Sequence, residues 1–407
     1  MNLGDKEFHI APMIDVSTIE FRYFIRLLTK RAVIWNQMVV AETLVHRHRI
    51  AKQNDIITKE SASCELSSSS SSSEQCGEDT EDDVQLTPDL IKHCGYYNDS
   101  TISGVNPHPT ICQIGSNIPS EAAFATRIAY KCGYDAIDLN SECPSDRVAG
   151  RCFGAALMKD QDTSEQVVNA MVSTSQLLDK PIPISVKTRI GIDEYDTFEF
   201  ISNYISRLSN VGCTNFIIHA RKVYMQGLDP AANRTVPPLN YPIVYELMKE
   251  YPNCNFIHNG GIRSLVHARE LAFGSSVKFD DSGNGRAELS SGYESDSEHV
   301  IPCQQCNLPQ GSCLHPPRIS PPNMKGVMVA RLARDRPADL ADVDRYFYGE
   351  PCNPCVNRRQ LMERYIEFLD RIYPRRCCDD DETISLDILR DMPRPIVPLR
   401  SCCNICR

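Results

Sequence analysis

Eight short runs of β-forming residues recur along the chain. They are FHIAPM (8–13), AVIWNQMVV (32–40), TICQIG (110–115), AIDLNSE (136–142), PISVKTRI (183–190), NFIIHARK (215–222), NFIHNGGI (255–262) and GVMVARLA (326–333). They are near-continuously apolar rather than alternating, as strands covered on both faces should be. Most of the stretches between them carry helical spacing. Ser17 and Glu20 make a capping box ahead of FRYFIRLLTK, where Phe21, Phe24, Leu27 and Leu28 share a face. Residues 119–131, 163–178, 198–208, 241–249 and 265–271 read the same way, and 42–54 less clearly. Strands alternating with helices predict a TIM (β/α)8 barrel in the α/β class; the alternative is an open doubly wound sheet.

Two segments break the rhythm. Residues 55–104 contain seven consecutive serines, Ser67 to Ser73, with eleven Asp/Glu against two Lys. Residues 275–323 hold six Asp/Glu against three Lys/Arg and run into a Pro- and Cys-rich piece. Neither can bury enough apolar area to offset its ordering entropy, so both are expected to be disordered surface insertions. They also localise the charge. The chain carries −10 overall, of which −9 and −3 belong to the insertions, leaving +2 elsewhere. A basic patch on the remaining surface is therefore compatible with the acidic total. The expected organisation is a barrel over 1–336 and a small helical appendage over 337–407. In the appendage, Leu361, Tyr365, Phe368 and Ile372 share one helical face. It ends abruptly at LRSCCNICR.

No apolar run approaches the roughly 18 residues that span a bilayer. The opening MNLGDKEFHI lacks a signal-peptide pattern. Nineteen cysteines, an odd count in a long chain, argue for reduced thiols rather than a disulfide framework. These features predict a soluble, cytoplasmic protein, with an organelle left open. Cys303, Cys306, Cys313 and His315 make a weak zinc-knuckle candidate.

In a barrel of this kind, chemistry sits at the C-terminal strand ends. The residues there are Pro12 and Met13, Gln37 and Met38, Gln113, Asn140, Lys187 and Arg189, His219 and Arg221, Asn259-Gly260-Gly261, and Arg331. Singly, each reads as a solvated strand exit, a core histidine or a tight turn. Together they place polar groups on one rim. Gly260 and Gly261 allow close backbone approach and Arg331 adds a bidentate donor, where barrels of this type bind phosphate. Lys187, Gln113 and His219 would face a ring with carbonyl oxygens. That combination describes flavin mononucleotide, FMN. Arg189, Arg221, Lys222 and Arg234 could hold phosphates at the same rim.

APMIDVS, QIGSN, DLNSECPSDRV, SVKTRIGID, FIIHARK, GLDPAANRTVPPLNY, NGGI and GVMVAR fall in order along the chain. This set resembles the tRNA-dihydrouridine synthases, in their DusA-type branch. The resemblance implies an FMN barrel with a helical RNA-binding part, and NADPH-driven reduction of D-loop uridine of the 20/20a type in tRNA. Carried over, Pro12, Met13 and Ile14 contact the flavin, and Gln113 and Lys187 address its ring. His219, Asn259, Gly260, Gly261, Ala330 and Arg331 hold its phosphate. Cys143 becomes the catalytic acid, and Asn140 and Arg234 contact tRNA. A thiol suits that role. Its ordinary pKa near 8.5 keeps it protonated at neutral pH, ready to protonate C5 of uracil opposite a hydride delivered to C6.

The chain departs from the family pattern at Glu142, where the family has glycine, at Gln37, where the branch has glutamate, and at Ala330, where glycine is common. A carboxylate beside Cys143 is expected to raise the thiol pKa and slow proton donation. Two other readings follow: a catalytically impaired RNA-binding homologue, and another FMN-dependent barrel reductase.

Overall fold

The computed structural model describes residues 6–64, 84–96, 106–144, 153–274, 277–279, 285–287, 320–355 and 357–373. The chain begins with β1 (Glu7–Ile10), α1 (Ile19–Leu28), β2 (Val33–Trp35), β3 (Val39–Val40), α2 (Ala41–Cys64) and α3 (Pro88–His93). It continues through β4 (Thr110–Gly115), α4 (Pro119–Cys132), β5 (Ala136–Ser141), α5 (Gln161–Gln176), β6 (Ile184–Arg189) and α6 (Phe198–Asn210). Then come β7 (Asn215–His219), α7 (Tyr241–Glu250), β8 (Asn255–Asn259), α8 (Leu265–Phe273), a hairpin of β9 (Val277–Phe279) and β10 (Gly285–Ala287), β11 (Met324–Val329), α9 (Arg331–Asp335) and α10 (Arg358–Ile372).

The main sheet is parallel and runs β2-β1-β11-β8-β7-β6-β5-β4-β3, and a further pairing of β2 with β4 closes it. Because β2 and β3 occupy one strand position, the result is the expected eight-stranded barrel. The run at 32–40 was expected to be continuous, and the Asn36 side chain accounts for the break. Its Oδ1 accepts from Gln113 N at 2.7 Å and its Nδ2 donates to the Cys94 carbonyl at 3.4 Å. A side chain thus stands in for a ladder bond.

The apolar strands are covered on both faces. Inside the barrel, Ala11, Val33, Trp35, Ile111, Ile217, Ile257 and Met328 pack together. Trp35 Nε1 donates to His9 Nδ1 at 3.0 Å, and His9 Nε2 donates to Glu7 at 2.9 Å. The carboxylate can only accept, so it settles the histidine tautomer. Outside, the helices bury their apolar stripes against the strands.

Several expectations shift. The cap of α1 is Thr18, which accepts from Phe21 N; the proposed Ser17–Glu20 box does not form. Ser17 Oγ is engaged by Met13 N and the Ala11 carbonyl, and Glu20 accepts from the Tyr373 hydroxyl. The first insertion is narrower than 55–104: α2 continues to Cys64, and Val84, Leu90 and Cys94 are buried in the outer core. The second contains the β9–β10 hairpin. The serine tract, Cys303, Cys306, Cys313 and His315 lie outside the described residues. Among the described residues no helix is long and apolar enough to cross a membrane.

Two buried polar residues organise the turn after α1, and one of them, Asp344, ties it to the C-terminal part. The Arg26 guanidinium donates to the carbonyls of Thr29, Lys30, Ala32, Pro107 and Pro109 at 2.9–3.3 Å. Burial pushes it down to about 10, so it remains charged at neutral pH. Asp344 accepts from Thr29 Oγ1, Lys30 N and Arg31 N. Beside them, α10 lays Tyr365 and Phe368 on α1, with the Phe368 and Tyr23 rings stacked 3.8 Å apart. Arg359 pairs with Glu363 at 2.8 Å on its outer face.

Arg26→Leu strips the donor from five carbonyls and is expected to lower the unfolding free energy by about 3 kcal/mol or more. Urea denaturation followed by circular dichroism measures it; a change within experimental error would show that these carbonyls find other donors.

Candidate functional site

A cavity of about 400 Å³ opens at the C-terminal strand ends, within the size range of small-molecule sites. Most of the residues assigned to cofactor, substrate or RNA line it; Arg221 and Lys222 do not. Those that do are Pro12, Met13, Ile14, Gln113, Asn140, Cys143, Lys187, Arg189, His219, Arg234, Asn259, Gly260, Gly261, Ala330 and Arg331. Residues 145–152, which hold the rest of the CPSDRV motif, lie outside the described residues.

A relay of side chains rises from the barrel interior to the Cys143 loop. The buried Asp138 accepts from Ser185 Oγ and Gln113 Nε2, both at 2.8 Å. Gln113 Oε1 accepts from Asn140 Nδ2 at 2.9 Å. Asn140 Oδ1 then accepts from the backbone of Glu142 at 3.2 Å and of Cys143 at 3.1 Å. Asn140, expected to contact tRNA, is buried, lines the cavity and fixes the loop that carries the thiol. Asp138 went unnoticed in the sequence because it interrupts an apolar strand like any single polar residue. Its parity with Asn140 on β5, both facing inward, is the signal that could have found it.

The site is strongly cationic. Lys187, Arg189, Arg234, Arg331 and Arg334 line it, against the carboxylates of Asp15 and Glu142. Burial, with the neighbouring Arg189, pushes the Lys187 ammonium down to about 7, against the pull of Asp138. Its direct ion pair with Glu142 works against that shift. Burial drives the Asp138 carboxyl up to about 7. His219 is held well below its ordinary value by burial and by Arg189, Lys187, Arg221 and Arg331, so it is neutral. Arg189 is pushed down to about 9 by burial and Arg234, and Arg221, Arg234 and Arg331 are lowered as well.

The expected row of phosphate-binding arginines is not uniform. Arg189 is 2% exposed, and its guanidinium donates to the carbonyls of Asn233 at 2.8 Å and Lys222 at 3.3 Å. Arg221 donates to the carbonyls of Pro237 and Thr235. Both clamp the loop between β7 and α7 rather than reach for solvent. Lys222 pairs with Asp196 at 2.6 Å. Of the four, Arg234 is the exposed one that lines the cavity, on the loop the other two arginines hold. Arg331, expected within the last strand run, lies two residues beyond the end of β11, at the start of α9.

Gly260 and Gly261 have φ of +115° and +73°, in the region that favours glycine. A Cβ on Gly260 would come within 2.8 Å of the His219 ring, and one on Gly261 within 2.5 Å of Leu239. Asn259 Nδ2 donates to the Met328 carbonyl at 2.8 Å, tying β8 to β11 at this end. The sequence did not reveal the role of Glu142. Its carboxylate contacts Lys187 Nζ, His219 Nδ1 at 2.5 Å and Arg189 Nε at 3.6 Å.

Residues 85–276 match the family model described as Dihydrouridine synthase (Dus). Curated relatives named tRNA-dihydrouridine(20/20a) synthase include one from Shewanella oneidensis, 36% identical over 265 residues, 65% of this chain and 63% of that protein. One from Vibrio vulnificus is 28% identical over 363 residues, 89% of this chain and 79% of that protein. One from Escherichia coli strain K12 is 34% identical over 263 residues, 64% of this chain and 61% of that protein. The chain thus spans less than two thirds of the Shewanella and Escherichia proteins. The matched stretch carries β4 to β8 and the residues they bring to the cavity, from Gln113 to Gly261, and over that stretch the chain is similar to the dihydrouridine synthases, with curated relatives named for the 20/20a type.

Proposed function

We propose that this protein reduces D-loop uridine of the 20/20a type in tRNA to 5,6-dihydrouridine, with NADPH as electron donor and FMN as the resident cofactor. The observation that carries this reading is that Cys143 and the cation-rich strand ends open onto one cavity.

The residues fit a phosphate-bearing cofactor. Arg189 Nε is buried without a hydrogen-bond partner, and positive charge exceeds negative around the cavity. An anion relieves that mutual repulsion. His219, Asn259, Gly260, Gly261, Ala330 and Arg331 would hold the phosphate end, and Pro12, Met13, Ile14, Gln113 and Lys187 the ring. When bound, the flavin supplies the hydride for uracil C6.

The protein's own groups do the rest. The target uridine must leave its stack to enter the cavity, at a cost of a few kcal/mol that a flexible loop lowers. The exposed Arg234 pairs with a flanking phosphate, and the helical part after residue 336 extends the RNA-binding surface. Asn140 holds the Cys143 backbone so that the thiol faces the cavity. Cys143 gives its proton to C5, and solvent reprotonates the thiolate. Such a protein works where tRNA and NADPH are both present, as in the cytoplasm.

The reading is tested by dihydrouridine content at positions 20 and 20a of tRNA, from cells lacking the protein and in reconstituted reactions; unchanged uridine in both would sink it. Cys143→Ala is expected to slow the reduction by about 10²–10⁴-fold, the range for loss of a general acid, with tRNA affinity within twofold of the parent. Full single-turnover rates in that variant would remove Cys143 from the chemistry. Arg234→Ala should weaken tRNA binding several-fold and flatten the slope of log K against log salt by about 0.7–0.9, the contribution of one phosphate contact. An unaltered slope in filter-binding titrations would place Arg234 off the RNA.

A further inference from the structure

We propose that Glu142 is a built-in occupant of the cofactor's place: its carboxylate holds Lys187, Arg189 and His219, and an incoming flavin must displace it. This rests on the FMN reading above and concerns what this chain does with that cofactor.

The carboxylate is where an anion or ring carbonyl would be received. Lys187 and Arg189 come from β6 and His219 from the neighbouring β7. Their side chains are 5%, 2% and 8% exposed, and all three line the cavity. Glu142 touches all three while its own side chain stays 14% exposed, so it closes the inner cations off from whatever enters.

Charge gives the reason it stays there. Lys187 and Arg189 face each other's field with little water to screen it, and the remaining carboxylate lining the cavity is Asp15. A buried cation without a counter-ion is costly. Glu142 removes that cost in the flavin-free protein, and the same stabilisation opposes binding of a ligand that needs the same cations.

Proton placement adds a second effect. A carboxylate accepts only, so His219 donates to it through Nδ1. Since His219 is neutral, its Nε2 is left as a lone pair. A lone pair cannot donate to phosphate. Once the carboxylate leaves, the proton can move to Nε2 and the imidazole becomes a donor on that side. The displacement needs only side-chain rotation, because the Glu142 backbone N–H remains on Asn140.

The test is a titration of FMN, followed by quenching of its fluorescence, with the full-length chain stripped of bound flavin. Parent, Glu142→Gln, Glu142→Gly and Glu142→Asp are compared, alongside thermal melts without flavin. Glu142→Gln and Glu142→Gly are expected to bind FMN at least tenfold tighter than the parent, and both should melt at a lower temperature when flavin-free. Glu142→Asp should stay near the parent in affinity. Lower stability combined with tighter binding is what displacement requires and what simple damage to the fold does not produce. Affinity unchanged or weakened in Glu142→Gln overturns the proposal and leaves the cofactor reading standing. No FMN binding by any of the four chains removes the cofactor reading, and this proposal with it.

Discussion

Positive charge buried at one end of the barrel, in excess of the acids around it, is the constraint on which the rest of the site depends. Lys187, Arg189, Arg221 and Arg331 are all held below their ordinary values by burial and by neighbouring arginines. Such a cluster needs compensation. Part comes from loop carbonyls, which accept hydrogen bonds from the guanidinium groups of Arg189 and Arg221. Part comes from Glu142. The remainder is available to an anion entering the cavity, so charge imbalance that would be a defect in a structural core becomes a binding device at a strand end.

The arginines therefore divide by depth. Arg189 and Arg221 are inner groups whose hydrogen bonds shape the loop from Arg221 to Asn240, and Arg234 is the outer group that this loop presents. The same division appears on β5. Asp138 and Asn140 point inward and transmit position, through Gln113, to the backbone of Cys143. The thiol is placed by a chain of hydrogen bonds that starts in the barrel interior. The packing of α10 on α1, with Asp344 and Arg26 beneath it, ties the appended helix to the strand wall near β2 in a similar way.

The likeness to dihydrouridine synthases and the departure at Glu142 concern the same few ångströms. A glycine before the cysteine would leave the inner cations without an internal partner. A glutamate there supplies them with an internal partner from the cavity lining itself. One substitution can thus change how a site is occupied while leaving the family resemblance of every surrounding residue intact.

The sequence by itself determined the barrel, because eight apolar runs of strand length separated by amphipathic stretches leave few other ways to cover both faces of a sheet. It also determined which residues would meet, since strand ends in a closed parallel barrel share one rim. What it could not decide was the direction and partner of each side chain. Arg189, read as a rim contact, is turned inward by carbonyls more than thirty residues away. Asn140, read as an RNA contact, is captured by Gln113 from the adjacent strand. Ser17 and Glu20 lost their cap to partners in the β1 turn and at Tyr373. Glu142 found Lys187 and His219 because β6 and β7 bring them alongside the end of β5. These are contacts between residues distant in the chain. Their outcome depends on which polar group lies within about 3 Å once the barrel has closed, a quantity that periodicity does not contain.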